Sequence, residues 1–298
     1  MPASAIVLVA SLAACSASGG KPIASTAGPS HSAATPVPTP ADTLWPSVVA
    51  LPTALPATMN YDQALPLFAY NGAKLLDLKI VSSENNSGAT VEDITFSGAA
   101  GEAVEAYLIL PAGNGPFPAV LFEHGAGGSR ETFLAEATSL AQEHRIAGLV
   151  VSRPTGLDNA GDDTIETILQ VREMRRALDL LAAQPQVDRS RLGYLGHSQG
   201  SIYGLMLLSV EPRIKTAALM AVVPGSPALG IAAAHVTAPT VLLQFGSQDG
   251  YYTKTTAEAL AGLIPATHKV SWYDAGHSLN SEAMTERAAW LTAQLGAK

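Results

Sequence analysis

Apolar and polar residues alternate along this chain in short and long blocks, from about Tyr61 to the C-terminal end. Short apolar blocks bounded by Gly, Pro, Asn and Ser are typical of strands. Three early blocks, joined by polar turns, predict antiparallel strands, and the later blocks predict strands separated by helices. The predicted strands are Leu75 to Glu84, Ala89 to Ser97, Val104 to Pro111, Pro118 to Glu123, Gly148 to Ser152, Arg191 to Leu195, Ala217 to Val223, Thr240 to Phe245 and Lys269 to Tyr273.

Helical periodicity is strongest after Asp163, where an apolar residue recurs every three or four positions up to Leu181. Asp163 can cap this helix, and Glu166 three residues later suits a capping box. Further helices are predicted at Arg130 to Glu143, Ser201 to Leu208 and Ser281 to Leu295. Strands that alternate with helices predict an α/β fold, with a mostly parallel central sheet of about eight strands and helices on both faces.

The pentapeptide Gly196-His197-Ser198-Gln199-Gly200 lies between a predicted strand and a predicted helix. It fits G-x-S-x-G, the nucleophile elbow, in which a serine is held on a sharp strand-to-helix turn. The polar residues from Val187 to Ser190 predict the turn that leads into this strand. Pro212 is expected to end the helix. Ser198 is therefore the candidate nucleophile.

A serine nucleophile needs a general base, and the chain has seven histidines. His277 follows Gly276 just beyond the last predicted strand, at the edge where ligands of parallel sheets bind. His197 cannot readily fold back to the Oγ of its neighbour, and His124 is expected to be structural, bonding a loop backbone. The others fall in the N-terminal segment, at a helix end or before strands: His31, His144, His235 and His268. His277 is the predicted base.

The base needs an acid that orients it. Asp249 follows the strand that ends near Phe245, so it should reach the same sheet edge as His277. Asp274 is the rival, but three residues before His277 it is expected to point back along the turn. Asp249 could also be a turn former, because Asp-Gly is a common turn pair.

The oxyanion of an acyl-transfer intermediate needs backbone donors. One candidate is the N–H of Gln199, directly after the nucleophile. The second is predicted in the loop His124-Gly125-Ala126-Gly127-Gly128, where Ala126 is the first choice and Gly127 the alternative. The two glycine-rich phosphate-binding patterns, G-x-x-x-x-G-K-[ST] and G-x-G-x-x-G, are both missing from the sequence, so the glycines are not expected to bind phosphate.

Three more residues follow predicted strands at the same edge. Arg153, Tyr251 and Tyr252 could shape a pocket, or could equally be surface loop residues.

Composition narrows the function classes. The chain has 298 residues, a formal net charge of −8 and only 17 Lys and Arg residues, without a basic cluster, which argues against nucleic-acid binding. Apart from the leader, the chain reads as one large domain, and no apolar run approaches the roughly 18 residues that span a bilayer. No Cys and His cluster has metal-ligand spacing, so no metal or cofactor is expected.

The N-terminus reads as a leader followed by a tether. Residues 1–15 predict a signal peptide, and Leu12-Ala13-Ala14-Cys15 resembles the lipobox of bacterial lipoproteins, in which the cysteine is lipidated. The segment before the apolar stretch lacks Lys and Arg, so cleavage by an ordinary signal peptidase and secretion is an alternative, as is a merely apolar, disordered leader. Residues 16–59 are rich in Ala, Ser, Thr and Pro and predict a disordered tether, and residues 60–298 predict the catalytic domain.

The glycine loop at 124–128, the elbow around Ser198, Asp249 and His277 together resemble the motif set of the α/β-hydrolase superfamily. The resemblance covers roughly 75–295 and is to lidless dienelactone-hydrolase-like and acetyl-esterase-like members, although dienelactone hydrolases carry cysteine where this chain has Ser198. It implies an α/β-hydrolase fold without a large cap domain, and a serine esterase acting on short-chain or acetyl esters of small molecules. A peptidase, an acyltransferase or thioesterase, and a non-catalytic binding protein on this fold are the alternatives.

Overall fold

The computed structural model describes residues 59–153 and 163–297. The predicted signal peptide with Cys15, nearly all of the predicted tether and His31 lie outside these residues. The predicted capping box at Asp163 falls at the border of the second range, and the side chain of Asp163 is outside the description. In the described part of the chain, no helix has the length and apolar character needed to cross a membrane.

The described residues form a mixed sheet of nine strands, one more than the approximate number expected. The strands are β1 Lys79–Asn86, β2 Ala89–Ser97, β3 Ala103–Pro111, β4 Phe117–Glu123, β5 Ala147–Val151, β6 Val187–His197, β7 Ile214–Met220, β8 Thr240–Gly246 and β9 Thr267–Tyr273. Their order in the sheet is β1-β2-β3-β5-β4-β6-β7-β8-β9. The first three strands and the β3–β5 pair run antiparallel, and all pairs from β5 to β9 are parallel.

Helices cover both faces of the sheet, as predicted. In β4, Leu121 faces one apolar cluster and its neighbours Val120 and Phe122 face the other, because successive strand residues point to opposite faces. The helices are α1 Tyr61–Ala64, α2 Leu134–His144, α3 Asp163–Ala182, α4 Gln199–Val210, α5 Pro227–Ala234, α6 Lys254–Ala261 and α7 Ser281–Leu295. The cluster that contains Leu121 includes residues of α3, α4, α5 and α6, and the other cluster includes residues of α2 and α7.

The prediction of a turn from Val187 to Ser190 was wrong, because these residues belong to β6. A bulge in the pairing with β4 explains why polar residues lie within this strand. Val187 pairs with Phe117 and Leu192 with Ala119, so extra residues of β6 bulge out of the ladder. Two smaller differences lie elsewhere: β1 begins at Lys79, and the helix expected from Arg130 starts with a 3₁₀ turn at Arg130–Phe133.

The parallel strands bring four segments to one edge of the sheet. The segments follow the carboxyl ends of β4, β6, β8 and β9, which lie close together in the sheet with β7 between β6 and β8. They carry the 124–128 loop, Ser198, Asp249 and His277 respectively. The sheet edge therefore assembles the residues that the sequence singled out.

Candidate active site

Ser198 lies on a strained turn between β6 and α4. Its φ and ψ are 54° and −115°, a conformation that L-residues rarely adopt and that costs free energy. A Cβ atom on Gly196 would lie 2.6 Å from the carbonyl oxygen of Gly200, and one on Gly200 would overlap the carbonyl of Glu123. The backbone can make this turn only with glycines at both positions, and the turn presents Ser198 at the sheet edge.

A hydrogen-bond chain joins Ser198, His277 and Asp249. The Nε2 atom of His277 lies 2.8 Å from Ser198 Oγ, and its Nδ1 atom lies 2.6 Å from Asp249 Oδ2. The side chain of Asp249 is fully buried, whereas that of His277 is 26% exposed. A carboxylate can only accept, so Nδ1 carries the proton and Nε2 is left to accept from the serine hydroxyl.

The carboxylate of Asp249 stays ionised in spite of its burial. Burial by itself would raise its pKa, but hydrogen bonds from the Tyr251 backbone, His277 and Tyr252 outweigh this and hold the pKa of Asp249 below its usual value. The Tyr251 N–H donates to Oδ1 at 2.9 Å. The rival Asp274 instead accepts a hydrogen bond from Gln248 Nε2 at 2.6 Å. The structure thus places Asp249, and not Asp274, on the imidazole.

The glycine loop lies directly against the elbow. Gly128 N–H donates to Gly125 O at 3.2 Å, and Gly127 has a φ of 68°, which this kind of turn requires. A Cβ atom on Gly125 would lie 3.2 Å from the Cβ atom of Ser198. Within the described residues, the N–H groups of Ala126 and Gln199 donate to no protein acceptor. Both amides are therefore available to a ligand beside Ser198.

Two histidines next to the site bond backbone groups. His124 is buried, and its Nδ1 atom lies 2.8 Å from Gly125 O, in agreement with the structural role expected for it. His197 lies with Nε2 at 2.9 Å from the carbonyl oxygen of His277. Neither side chain is hydrogen-bonded to Ser198 in the described structure, so His277 remains the base candidate.

The four other histidines were not expected in the site. His144 contacts Thr292 Oγ1 at 3.0 Å at the end of α2, His235 stacks on Tyr61, and His268 lies at the start of β9. His31 lies outside the described residues.

Comparison with known proteins finds no matching protein-family profile and no matching curated sequence. Solved structures do match. An acetyl xylan esterase from Paenibacillus sp. R4 has a TM-score of 0.64 at 17% identity, over 78% of this chain and 92% of that chain. A cold-adapted esterase from an Arctic intertidal metagenomic library has a TM-score of 0.61 at 19% identity, over 72% and 97%. An S-formylglutathione hydrolase from Agrobacterium tumefaciens has a TM-score of 0.61 at 14% identity, over 73% and 99%.

The chain has the α/β-hydrolase fold. At these identities the likeness defines the fold alone. Ser198, Asp249 and His277 follow along the chain in the order serine, aspartate, histidine that is usual for nucleophile, acid and base in this fold.

Arg153 joins two segments of the site through hydrogen bonds. Its Nε atom donates to Glu123 Oε1 at 2.9 Å, one terminal nitrogen donates to Gln199 Oε1 at 2.6 Å, and the other donates to the carbonyl of His124. The side chain is only 2% exposed, so the alternative of a surface loop residue is wrong for Arg153. It ties the end of β4 and the glycine loop to Gln199, the residue that follows Ser198.

The network continues into α3 and α4. Gln199 Nε2 donates to Tyr203 Oη at 2.7 Å, and the Tyr203 hydroxyl donates to Glu166 Oε1 at 2.7 Å. Glu166, the predicted partner of Asp163 in a capping box, accepts a hydrogen bond from Tyr203 in α4.

Sequence reasoning missed this network, although Glu123 carried a signal. A carboxylate that ends an otherwise apolar strand is expected to be buried, and a buried charge requires a partner such as Arg153.

Tyr251 and Tyr252 are adjacent but differ in environment. Tyr252 is buried against Phe245, and its hydroxyl oxygen accepts a hydrogen bond from Gly246 N–H at 3.0 Å. Tyr251 is 67% exposed, with its ring centroid 4.7 Å from that of His277.

Among the described residues, no group of three or more His, Cys, Asp and Glu is placed to hold a metal ion.

Proposed function

We propose that this chain is a serine hydrolase that cleaves carboxylic esters, with Ser198 as nucleophile, His277 as general base and Asp249 as the acid that orients it. The observation that carries the proposal is the hydrogen-bond chain from Ser198 Oγ through His277 to the buried carboxylate of Asp249. The strained turn at Ser198 and the esterases among the similar structures support it.

The geometry suits acyl transfer in two steps. As Ser198 Oγ attacks the acyl carbon, its proton passes to His277 Nε2, and Asp249 stabilises the resulting imidazolium through Nδ1–H. The amides of Gln199 and Ala126 then bind the oxyanion. His277 passes the proton to the leaving alcohol, which departs and leaves an acyl-Ser198. A water molecule then attacks the acyl carbon while His277 takes its proton, and the bond to Ser198 Oγ breaks as His277 returns the proton to that oxygen, which releases the carboxylic acid.

Acetyl and other short-chain esters are the proposed substrates. Between β7 and β8, where lipases often carry a cap, the chain has a single eight-residue helix, α5. A segment of this length between β7 and β8 leaves no room there for a large cap, and we take this as favouring small esters over long-chain ones. Two of the similar structures are acetyl xylan esterases, which makes acetyl esters the first to test.

A fluorophosphonate probe tests the mechanism, because it modifies only an activated serine. We expect the purified protein to be labelled and Ser198→Ala not to be labelled. Equal labelling of Ser198→Ala, or no labelling of the wild type, would overturn the proposal and favour the binding-protein alternative. A panel of p-nitrophenyl esters, a thioester, a peptide and an alcohol acceptor then separates esterase, thioesterase, peptidase and acyltransferase.

We further propose that the protein is exported and held at the cell envelope by a lipid on Cys15. The proposal is supported by the lipobox-like sequence 12–15 and the tether-like composition that follows it. Mass spectrometry of the membrane fraction tests it. An unmodified Cys15, or a mature chain that starts downstream of it, would favour secretion instead.

A further inference from the structure

The ring of Tyr251 is exposed at the rim of the site. It is 67% exposed, whereas the neighbouring Tyr252 is 9% exposed. Within the described structure its one ring contact is with His277, at a centroid distance of 4.7 Å and an interplanar angle of 55°. Much of Tyr251 is thus left to solvent beside His277, where its ring can bind part of a substrate.

The backbone of Tyr251 is held in place independently of its side chain. Its N–H donates to Asp249 Oδ1 at 2.9 Å, and the N–H of Asp249 donates to Gly246 O at 3.3 Å at the end of β8. The carboxylate that orients His277 therefore also positions the aromatic residue. Replacing the side chain of Tyr251 leaves this hydrogen bond in place, which makes the residue suitable for substitution.

The chemistry assigns the ring to one side of the substrate. During acylation His277 protonates the leaving oxygen, so the leaving alcohol must lie next to the imidazole. The acyl oxygen lies on the other side, at the amides of Gln199 and Ala126. The ring of Tyr251 contacts the same imidazole, and this contact is the ground for placing the ring on the leaving-alcohol side.

We propose that Tyr251 forms a leaving-group subsite that binds the flat face of a ring-bearing alcohol, aryl or pyranose, and so favours esters of cyclic alcohols over esters of linear ones. The proposal rests on the serine esterase function proposed above. An offset aromatic contact of this kind changes affinity by about three- to tenfold, so the effect on selectivity should be of that size.

Acetate esters of different alcohols provide the test, because all of them give the same acetyl-Ser198. We expect Tyr251→Ala to lower kcat/KM for phenyl acetate and for an acetylated methyl pyranoside by about three- to tenfold relative to ethyl acetate. Hydrolysis of the acetyl-enzyme, measured in single turnover, should not change, since the alcohol has left. Tyr251→Phe should retain the selectivity.

Other outcomes separate the possible roles of Tyr251. A loss on only one of the two ring esters supports the subsite and identifies its ring type. An equal loss on all three esters together with slower deacylation would overturn the subsite, because Tyr251 would then act only through His277. Unchanged kinetics would also overturn it. Leu263→Ala, an exposed apolar truncation after α6 at the opposite sheet edge, is the matched control. Failure of the wild type to react with fluorophosphonate would instead refute the esterase function itself.

Discussion

The Nε2 atom of His197 lies 2.9 Å from the carbonyl oxygen of His277, so the residue before the candidate nucleophile binds the backbone of the candidate base. A carbonyl can only accept, which means that His197 Nε2 carries a proton. Burial holds the pKa of His197 below its usual value, in spite of the bond to His277, so the ring is neutral at pH 7. This hydrogen bond connects two segments that must keep their spacing for Ser198 and His277 to react.

Replacing His197 should therefore slow the reaction of Ser198. We expect His197→Phe to lower both kcat and the second-order rate of fluorophosphonate labelling by about tenfold, since one lost hydrogen bond costs about 1–2 kcal/mol. His197→Gln, whose amide nitrogen can donate to the same carbonyl, should recover part of the rate. If His197→Phe lowered only the thermal stability and left the labelling rate unchanged, His197 would have no role in positioning His277.

Removing Arg153 alone should destabilise the fold, because its ion pair with Glu123 is buried. We expect Arg153→Met to reduce the free energy of unfolding by about 3–5 kcal/mol, since it takes the guanidinium away from a buried carboxylate. The double variant Glu123→Met/Arg153→Met should lose less than the two single variants added together. Urea unfolding of all four proteins measures this, and strictly additive losses would show that the pair is not coupled.

Glycine at position 200 should be required for the elbow. The Cβ atom of Gly200→Ala would overlap the carbonyls of Glu123 and His124, which are backbone atoms and cannot rotate away. We expect loss of most esterase activity and a destabilisation of about 1–3 kcal/mol. Gly225→Ala is the control, because a Cβ atom there has no neighbour within 4 Å. Equal activity of the two variants would contradict the strained geometry.

The free energy of unfolding should fall as the pH rises, because the carboxyl of Glu173 holds its proton more tightly in the folded state. Burial and the neighbouring carboxyl of Glu102 raise the pKa of Glu173 from 4.5 to about 8, although backbone bonds such as that from Ala99 oppose this. The folded state therefore keeps a proton that the unfolded state releases between pH 4.5 and 8, and stability is lost across this window.

The variant Glu173→Gln cannot ionise and should lack this loss. We expect it to match the wild type near pH 4 and to exceed it at pH 8 by an amount on the order of a few kcal/mol. Urea unfolding across pH 4–9 measures the difference. Parallel curves for the two proteins would show that Glu173 does not titrate within this window.

Much of the fold could be predicted from local patterns. The bounds of β2 and of α7 coincide with the predicted segments, and most other strands differ from prediction by only a few residues at an end. Apolar periodicity reports which side of an element is buried, and this depends on neighbours along the chain. The main error, at Val187–Ser190, arose because a bulge within a strand has the same polar residues as a turn.

The sequence by itself determined the order of strands and helices and the candidate set Ser198, Asp249 and His277, because turn residues and strand ends mark these positions locally. Only the tertiary structure decided that Ser198 and His277, 79 positions apart, are hydrogen-bonded. It also decided that Arg153 is buried while Tyr251 is exposed. These properties depend on which distant segments the sheet order brings to one edge, and no local pattern of residues carries that information.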